Sequence, residues 1–465
     1  MDKILQIIKK IIPKRLFKML QPIYHFLLSW FSAVVYRFPS KKLIVIGVTG
    51  TTGKTTTVYF IARVLESAGF KVGLTSTAMF SDGKNEWLNN KKMTMVGRLF
   101  TQKILRRMVN NGCQYAIVES TSEGMAQFRH RFINYDILVF TGLYPEHIDS
   151  HGSFENYKQA KAKLFKHLQY CQIKYADEKG AIKKSEAGLK KISLNRVNKY
   201  IIINGDDEYA EYFFNFFANK KIIYTKKSKI NFDFKGEAEL VRIDEIKSGD
   251  WGISFSAIKK RINLKILGEF NAGNAAAAIA IGLSQNINFD RIKFGLEEIK
   301  GIPGRLERVN EGQDFIVIVD YAFEPEAVAK LYGVIKNISH NKVIHVLGAT
   351  GGGRDIARRP KLGKLAGKNA DYVIVANEDP YDDDPDIIID QVALGAENAG
   401  KKQKIDLFKI NDREQAIKKA LALAKTGDLI LITGKGSEQA ICVANGKKIS
   451  WDDRKVVKRL LLNKK

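Results

Sequence analysis

Cysteine is scarce in this chain: there are only three in 465 residues, and none stands at a metal-binding or redox spacing. The sequence therefore argues against a disulfide framework and is typical of a protein from a reducing compartment. It also lacks internal repeats, low-complexity segments and any recognisable nucleic-acid-binding module. These absences leave a globular protein built from ordinary domains as the expectation.

The size and composition are those of a chain with real hydrophobic cores. A length of 465 residues predicts two or three domains, and 45% hydrophobic with 27% charged residues is normal for globular proteins. The formal net charge of +26 indicates anionic partners, such as nucleotides, phosphorylated substrates, a membrane surface or nucleic acid. A general compositional bias explains the same charge equally well.

The first forty residues are set apart by basic and apolar side chains. The apolar run Pro22–Tyr36 has fifteen residues, fewer than the roughly twenty that span a bilayer. No small-residue cleavage site follows, so a signal peptide is not expected. We expect residues 1–40 to form an amphipathic or apolar helical segment. It would lie in a membrane interface, or else pack on the folded domain or serve in dimerisation.

From Leu43 onward, short apolar runs alternate with helix-like segments, which is typical of βαβ units and a parallel sheet. We predict an α/β fold with a central P-loop-type ATPase domain at residues 41–300 and a Rossmann-like α/β domain at residues 301–465. Short antiparallel strands are expected near Trp251–Phe255 and Ile262–Ile266. The predicted strands and helices are as follows: strands Leu43–Val48, Ala116–Val118, Ile137–Phe140, Tyr200–Ile203, Phe315–Asp320, Val343–Leu347, Tyr372–Ala376 and Leu429–Thr433, and helices Thr55–Ala68 and Gly97–Asn110.

A glycine- and threonine-rich segment, Gly47–Thr57, follows the first predicted strand and opens a helix. Glycines let backbone N–H groups close around phosphate oxygens, and the helix N-terminus favours negative charge. Lys54 can reach the β- and γ-phosphates of a nucleotide, and Thr55 can ligate Mg²⁺. Val48 departs from the strict phosphate-loop motif, so the loop is a variant. Gly50, Thr51, Gly53 and Thr56 complete the predicted nucleotide contacts.

Two candidate metal ligands, Glu119 and His147, follow predicted strand ends. The carboxyl ends of parallel strands are where doubly wound folds gather their ligands. A carboxylate suits Mg²⁺, and a second metal site can accept imidazole.

These segments together resemble the Mur ligases, most closely the enzymes that add the third residue of the bacterial peptidoglycan stem. The matching elements are Thr49–Thr57, Glu119–Met125, Thr141–Gly152, Tyr157–Phe165, Gly268–Asn274, Pro303–Arg308, Asp320–Pro325 and Gly348–Pro360. Glu123, Gly142, Glu146, Phe323 and Ser437 depart from the family pattern. The resemblance covers residues 43–465. The family's preceding UDP-binding domain, roughly one hundred residues long, is not recognised in the first forty. The substrate would then be held by another protein, be lipid-linked, or carry no UDP.

The resemblance implies roles for further residues. Lys161 would be carbamylated and would help to organise a second metal ion, and Asn274 would lie near the adenine. Arg305 and Asp320 would face the nucleotide from the C-terminal domain. The remaining substrate contacts that it implies are Thr94, Thr121, Ser122, Arg129, Arg354, Glu378, Asp379, Tyr381, Gly434 and Glu438.

Tyr381 stands where diaminopimelate-adding members have arginine. A tyrosine cannot form the bidentate guanidinium contact to a carboxylate. We therefore predict that the acceptor is not diaminopimelate, and that Asp382, Asp383 and Asp384 favour a cationic side chain such as lysine. The alternative is a solvated acidic loop.

The predicted function is an ATP- and Mg²⁺-dependent, cytoplasmic ligase, peripheral to the membrane if residues 1–40 contact it. Such an enzyme joins an amino acid to a muramoyl-peptide carboxylate through an acyl phosphate, with Lys54, Lys161 and Arg305 as catalytic residues. The alternatives are a folylpolyglutamate-synthetase-like ligase and a membrane-associated P-loop NTPase. A nucleic-acid-stimulated ATPase ranks lowest.

Overall fold

The structure is a computed structural model that describes residues 14–145, 151–183, 194–234, 238–353 and 356–463, with side chains described from Met19 onward. The chain divides into two compact units. The first comprises Met1–Trp87, Met93–Arg242 and Asn274–Gly295. The second comprises Leu88–Lys92, Ile243–Gly273 and Leu296–Lys465.

The first unit is built around a mostly parallel sheet whose central strands are continuous apolar runs. Such runs are expected where helices cover both faces of a sheet. The strands are β1 Ile44–Thr49, β2 Val72–Thr75, β3 Met79–Ser81, β4 Glu86–Leu88, β5 Tyr115–Glu119, β6 Ile137–Phe140, β7 Lys174–Ala176, β8 Ile182–Lys183, β9 Asn195–Val197, β10 Tyr200–Asn204, β11 Lys220–Thr225 and β12 Ala238–Gly249. The last of them, β12, continues into the second unit. Their order is β12-β11-β10-β6-β1-β5-β2-β3-β4, while β7–β9 form a separate small sheet.

Helices precede, connect or follow these strands along the chain. They are α1 Lys14–Val35, α2 Lys54–Ser67, α3 Arg98–Asn110, α4 Ser122–Ala126, α5 Phe154–Leu168, α6 Ala210–Phe214, α7 Phe270–Ser284 and α8 Phe289–Glu297. A short 3-10 helix, Pro39–Lys42, follows α1. Among the residues that the structure describes, none of the helices combines the length and the apolar character needed to cross a lipid bilayer.

Strand β1 lies at the centre of this sheet, where it pairs in parallel with β5 and β6. Val48 is in register with Glu119, and Thr49 with Phe140. The three strands therefore end at the same edge. This is the edge at which open α/β sheets bind their ligands.

The second unit contains a six-stranded sheet of order β15-β16-β20-β17-β18-β19, parallel apart from β15. The second half of β12 forms an antiparallel sheet with β13 and β14. The strands are β13 Gly252–Ala257, β14 Lys260–Leu264, β15 Glu307–Arg308, β16 Ile316–Val319, β17 Val343–Leu347, β18 Tyr372–Ala376, β19 Leu407–Ile410, β20 Leu429–Ile432, β21 Ala440–Val443 and β22 Lys447–Ser450. The helices are α9 Pro325–Ile335, α10 Arg358–Asn369, α11 Pro385–Glu397, α12 Arg413–Leu423 and α13 Asp453–Leu462.

The predicted fold class is confirmed: a parallel-sheet domain that carries the phosphate loop and a Rossmann-like α/β domain are both present. The predicted antiparallel strands near Trp251 and Ile262 correspond to β13 and β14. The predicted domain limits 41–300 and 301–465 stay a prediction. Residues 184–193, within the lysine-rich stretch Lys179–Lys199, lie outside the described residues.

Candidate active site

The loop between β1 and α2 carries Lys54 at the first position of the helix. The Lys54 ammonium donates to the carbonyl oxygens of Gly50, at 3.1 Å, and Thr51, at 2.6 Å. The positive charge of Lys54 therefore lies against the loop itself, beside the N-terminal end of α2. A cation and the N–H groups of a helix N-terminus together make this a favourable place for phosphate.

Gly53 has a structural reason to be glycine. Its φ is +79°, and a Cβ built there would lie 2.5 Å from Oδ1 of Asn274. The same Oδ1 accepts a hydrogen bond of 3.2 Å from the Thr57 hydroxyl. Asn274, on α7, is thus fixed directly against the phosphate loop.

The loop is also tied to the end of β6. Thr51 N donates to the Gly142 carbonyl at 2.7 Å, and the Thr141 hydroxyl donates to the Thr52 carbonyl at 2.7 Å. Gly142 departs from the family pattern, and its surroundings account for this, because a Cβ there would lie 2.9 Å from the Asp207 carboxylate.

Glu119, at the carboxyl end of β5, is buried and held by two threonines. Its carboxylate accepts from the Thr55 hydroxyl at 3.0 Å, the Thr77 backbone N–H at 2.8 Å and the Thr77 hydroxyl at 2.9 Å. A carboxylate and the Thr55 hydroxyl are hard oxygen donors of the kind Mg²⁺ prefers. The structure thus brings two of the predicted metal ligands together.

Lys161, on α5, reaches the same loop. It is buried, its ammonium donates to the Gly50 carbonyl at 2.7 Å, and it lies 4.5 Å from the centre of the Tyr157 ring. The Tyr157 hydroxyl is in turn 3.1 Å from the Thr51 hydroxyl. Lys54, Thr55, Glu119 and Lys161 therefore converge on one loop, while His147 lies outside the described residues.

The predicted substrate contacts of the first unit lie on and around α4 and the segment before α3. The Thr94 hydroxyl is 2.8 Å from that of Thr77, which extends the Glu119 network. Thr121 caps α4 by accepting from Gly124 N at 3.1 Å, and Ser122 is 3.1 Å from a ring nitrogen of His151. Arg129 donates to the carbonyl of Met95, one residue beyond Thr94.

In the second unit, Asp320 follows β16, and its oxygens accept from Leu306 N and Ala322 N, both at 2.7 Å. Burial raises the pKa of Asp320, while the charge of Arg305 opposes the shift. The Arg305 guanidinium lies 4.2 Å from the centre of the Tyr321 ring. Arg305 and Asp320 are thus neighbours in this unit, whereas Arg354 lies outside the described residues.

The predicted acceptor residues also gather in the second unit. Asp379 accepts from Lys435 at 2.9 Å and from Lys92, and Glu438 accepts from the same two lysines at 2.6 and 2.9 Å. Burial opposes ionisation of Asp379, yet Lys435 and Lys92 hold its pKa below the ordinary value. These four side chains form the acceptor charge cluster, which is balanced in sign.

Glu378, beside this cluster, packs closely against Gly434. A Cβ on Gly434 would lie 2.2 Å from Glu378 Oε2, and that oxygen is buried with no hydrogen-bond partner among the described residues. Burial raises the pKa of Glu378 to about 7. Tyr381, at φ +53°, packs its ring against the position of Gly352.

The three aspartates after Tyr381 have partners of their own. Asp384 caps α11 through Asp386 N at 2.9 Å, Asp383 pairs with Arg359 at 3.1 Å, and Asp382 accepts from Asn445 N at 2.7 Å. They are therefore engaged in local structure, and their selectivity for a cationic acceptor stays a prediction.

Sequence reasoning missed three functional candidates, namely Thr77, Lys92 and Lys435. Thr77 follows the carboxyl end of β2, the strand next to β5, and that position could have indicated it. Lys435 lies between Gly434 and Gly436 after β20. Lys92 reaches Asp379 from 287 residues away in sequence, and no local pattern signals such a contact.

Comparison with known proteins agrees with this arrangement. The model described as "Mur ligase middle domain" matches residues 48–200 and 188–282, and that described as "Mur ligase, glutamate ligase domain" matches residues 304–436. A UDP-N-acetylmuramyl-tripeptide synthetase of Roseiflexus sp. (strain RS-1) is 33% identical, over 92% of this chain and 81% of the relative. One from Borreliella afzelii (strain PKo) is 36% identical, over 94% and 80%.

A solved structure of a UDP-N-acetylmuramoyl-L-alanyl-D-glutamate–2,6-diaminopimelate ligase matches with a TM-score of 0.57 and 25% identity, over 91% of this chain and 79% of that one. The family models, the long sequence matches and the phosphate loop between β1 and α2 agree. This chain belongs to the Mur ligase family.

Proposed function

We propose that this chain is an ATP-dependent ligase that joins an amino acid to the carboxylate of a muramoyl peptide in peptidoglycan precursor synthesis. The observation that carries the proposal is the convergence of Lys54, Thr55, Glu119 and Lys161 on the loop after β1. The relatives named as tripeptide synthetases support the muramoyl substrate.

The donor set fits the divalent ion that the family implies. Thr55 Oγ and the Glu119 carboxylate lie 3.0 Å apart, and both are hard oxygen donors. The described residues contain no cluster of three His, Cys, Asp or Glu side chains around a possible metal position. Mg²⁺ typically takes one or two protein ligands, with phosphate and water completing its shell. When bound, it would neutralise charge on the β- and γ-phosphates.

The first chemical step forms an acyl phosphate. A substrate carboxylate oxygen bonds to the γ-phosphorus as the bond from phosphorus to the β–γ bridging oxygen breaks, and ADP leaves. Lys54 stabilises the negative charge that develops on the phosphate oxygens. Thr94, Thr121, Ser122 and Arg129 would hold and orient the muramoyl peptide.

The second step forms the amide. The acceptor amine attacks the acyl carbon, the carbon–oxygen bond to phosphate breaks, and the amine loses a proton as inorganic phosphate leaves. We propose that Glu378, Asp379, Tyr381, Gly434 and Glu438 bind the acceptor. Arg305 and Asp320 would contact the nucleotide, and the reaction would take place in the cytoplasm.

Mass spectrometry of products tests the proposal. The purified chain receives Mg²⁺, ATP, UDP-muramoyl-dipeptide and a mixture of amino acids. We expect a product heavier by one amino-acid residue and phosphate release that requires both co-substrates. Lys54→Ala should lower turnover by about a hundredfold or more. Lys448→Ala, an exposed lysine on β22, is the control and should leave turnover unchanged.

Two outcomes would contradict the proposal. Phosphate release that is independent of both co-substrates would identify an NTPase. Glutamylation of a folate, with no muramoyl product, would identify a folylpolyglutamate-synthetase-like enzyme. Competition between lysine and diaminopimelate tests the acceptor separately, since exclusive use of diaminopimelate would rule out a preference for a cationic side chain.

A further inference from the structure

Helix α1 exposes large apolar side chains and buries small or polar ones, which is the reverse of an ordinary surface helix. Its buried positions are mostly small or polar: Ser29 is 2% exposed, and Ser32 and Ala33 are fully buried. Its exposed positions are mostly large and apolar, with Ile23 at 57%, Trp30 at 47% and Phe31 at 53% exposure. We call this exposed set the apolar face of α1: Met19, Leu20, Ile23, Tyr24, Phe26, Leu27, Trp30, Phe31, Val34 and Val35.

Hydrogen bonds from the buried side fix this orientation. The Ser29 hydroxyl donates to the Phe128 carbonyl at 2.9 Å and accepts from Arg98 Nε at 3.1 Å. At the end of the helix, Arg106 donates to the carbonyls of Tyr36 and Arg37 at 2.8 and 2.9 Å. Turning the helix inward would break these bonds, so the apolar face is held outward by α3 and the segment after α4.

The apolar face has the composition of a surface that lies at a lipid interface. Ile23, Leu27, Trp30, Phe31 and Val34 recur at helical spacing on one broad side. Soluble chains seldom expose so large a contiguous apolar patch, and tryptophan, tyrosine and phenylalanine favour the boundary between lipid headgroups and acyl chains.

The charged residues before and after the helix in the sequence are almost all positive. The first 42 residues contain nine Lys or Arg residues and a single acid, Asp2, and the next acid along the chain is Glu66. Arg37, Lys41 and Lys42, directly after the helix, are exposed. A polybasic segment beside an apolar helix face is complementary to anionic lipid.

We propose that the apolar face of α1 docks this chain on an anionic lipid bilayer, with the helix lying in the interface and the flanking basic residues against the headgroups. The positive charge disfavours the alternative of a second copy, because pairing two α1 helices would bring like charges together. The inference does not depend on the reaction proposed above.

Vesicle co-sedimentation tests the apolar part. The full chain is mixed with vesicles of phosphatidylcholine containing 30% phosphatidylglycerol. We expect Ile23→Ser/Trp30→Ser/Phe31→Ser to weaken binding about tenfold or more. The matched control, Ile258→Ser/Trp251→Ser/Phe294→Ser, removes the same residue types at similarly exposed positions and should bind as the unchanged chain does.

A second pair of variants tests the charge. Arg37→Gln/Lys41→Gln/Lys42→Gln should weaken binding to the anionic vesicles by about a hundredfold. Lys404→Gln/Lys447→Gln/Lys448→Gln removes the same net charge from exposed positions elsewhere and should have little effect. Binding to pure phosphatidylcholine, and binding at high salt, should both be weaker than binding to the anionic vesicles at low salt.

Three results would overturn the proposal. They are equal binding by the α1 triple variant and its control, equal binding to neutral and anionic vesicles, and a dimer in light scattering that the α1 triple variant converts to a monomer. Soluble turnover of the α1 triple variant should equal that of the unchanged chain, which separates this test from the test of the reaction.

Discussion

At the scale of single residues, Glu119 depends on two threonines for its position. Thr77→Val removes the hydroxyl that bonds both Glu119 and Thr94 but keeps the backbone N–H bond to Glu119. Because groups that orient a metal ligand typically alter metal affinity, we expect the Mg²⁺ concentration for half-maximal turnover to rise about tenfold or more.

Thr77→Ser retains the hydroxyl and should restore the ordinary Mg²⁺ requirement. Magnesium titration of initial rates measures both variants. If Thr77→Val lowered thermal stability but left the Mg²⁺ requirement unchanged, Thr77 would have only a structural role.

Gly53 is predicted to be essential for nucleotide binding. Gly53→Ala places a methyl group 2.5 Å from Asn274 Oδ1 at a φ of +79°, so the loop or the Asn274 side chain must move. We expect ATP binding, measured by calorimetry, to be lost. Gly69→Ala is the matched control, because its φ is +88° but its methyl group would meet nothing within 4 Å. It should cost about 1 kcal/mol of stability and leave ATP binding intact. Loss of binding in both variants would show that backbone strain alone is responsible.

The buried Glu378 carboxyl should make the free energy of unfolding depend on pH. Burial raises its pKa from 4.5 to about 7 in the folded chain, so the folded state holds the proton more tightly than the unfolded state. Stability should therefore fall as pH rises from about 4.5 to 7, by up to about 3 kcal/mol. Glu378→Gln should remove this contribution in melting experiments across that range. If Glu378→Gln lost as much stability between about pH 4.5 and 7 as the unchanged chain does, Glu378 would not be the group responsible.

At the scale of elements, Asp136 joins the start of β6 to β1 and to two buried lysines. It accepts from Val45 N at 2.9 Å, from Lys199 at 2.8 Å and from Lys174. Burial lowers the pKa of Lys174 to about 8, although Asp136 opposes the shift.

Asp136→Ala would leave two buried ammonium groups without this carboxylate. We expect a loss of about 3–5 kcal/mol in the free energy of unfolding, measured with urea. Glu298→Ala, at an exposed position, should change stability by less than about 0.5 kcal/mol. A loss of less than 1 kcal/mol for Asp136→Ala would mean that water compensates the lysines.

The elements also show what sequence can and cannot predict. Val343–Leu347 and Tyr372–Ala376 are strands with the predicted bounds, because a buried parallel strand is a continuous apolar run. Strand β2 was not predicted, since its four residues, VGLT, carry too short a pattern. In the site, Lys54, Thr55 and Glu119 stand in local motifs. The Lys92 contact with Asp379 arises only from tertiary packing and has no local signal.

At the scale of the whole molecule, ligand binding should raise the free energy of unfolding. A ligand at one hundred times its dissociation constant stabilises a folded protein by about 2.7 kcal/mol. Mg²⁺–ATP should therefore raise the melting temperature of the unchanged chain by several degrees. Lys54→Ala should abolish most of the increase, whereas Lys448→Ala should retain it. An equal increase in all three proteins would indicate nucleotide binding away from the loop.

The pairing of β1 with later strands also affects synthesis of the chain. Strand Ile44–Thr49 leaves the ribosome well before Tyr115–Glu119 and Ile137–Phe140, its two neighbours in the sheet. At translation rates of roughly 5–20 residues per second, this apolar segment waits on the order of 5–20 s for its second neighbour. During that interval the nascent chain exposes an unpaired strand edge together with α1, which makes it a natural client for chaperones that shield emerging hydrophobic segments.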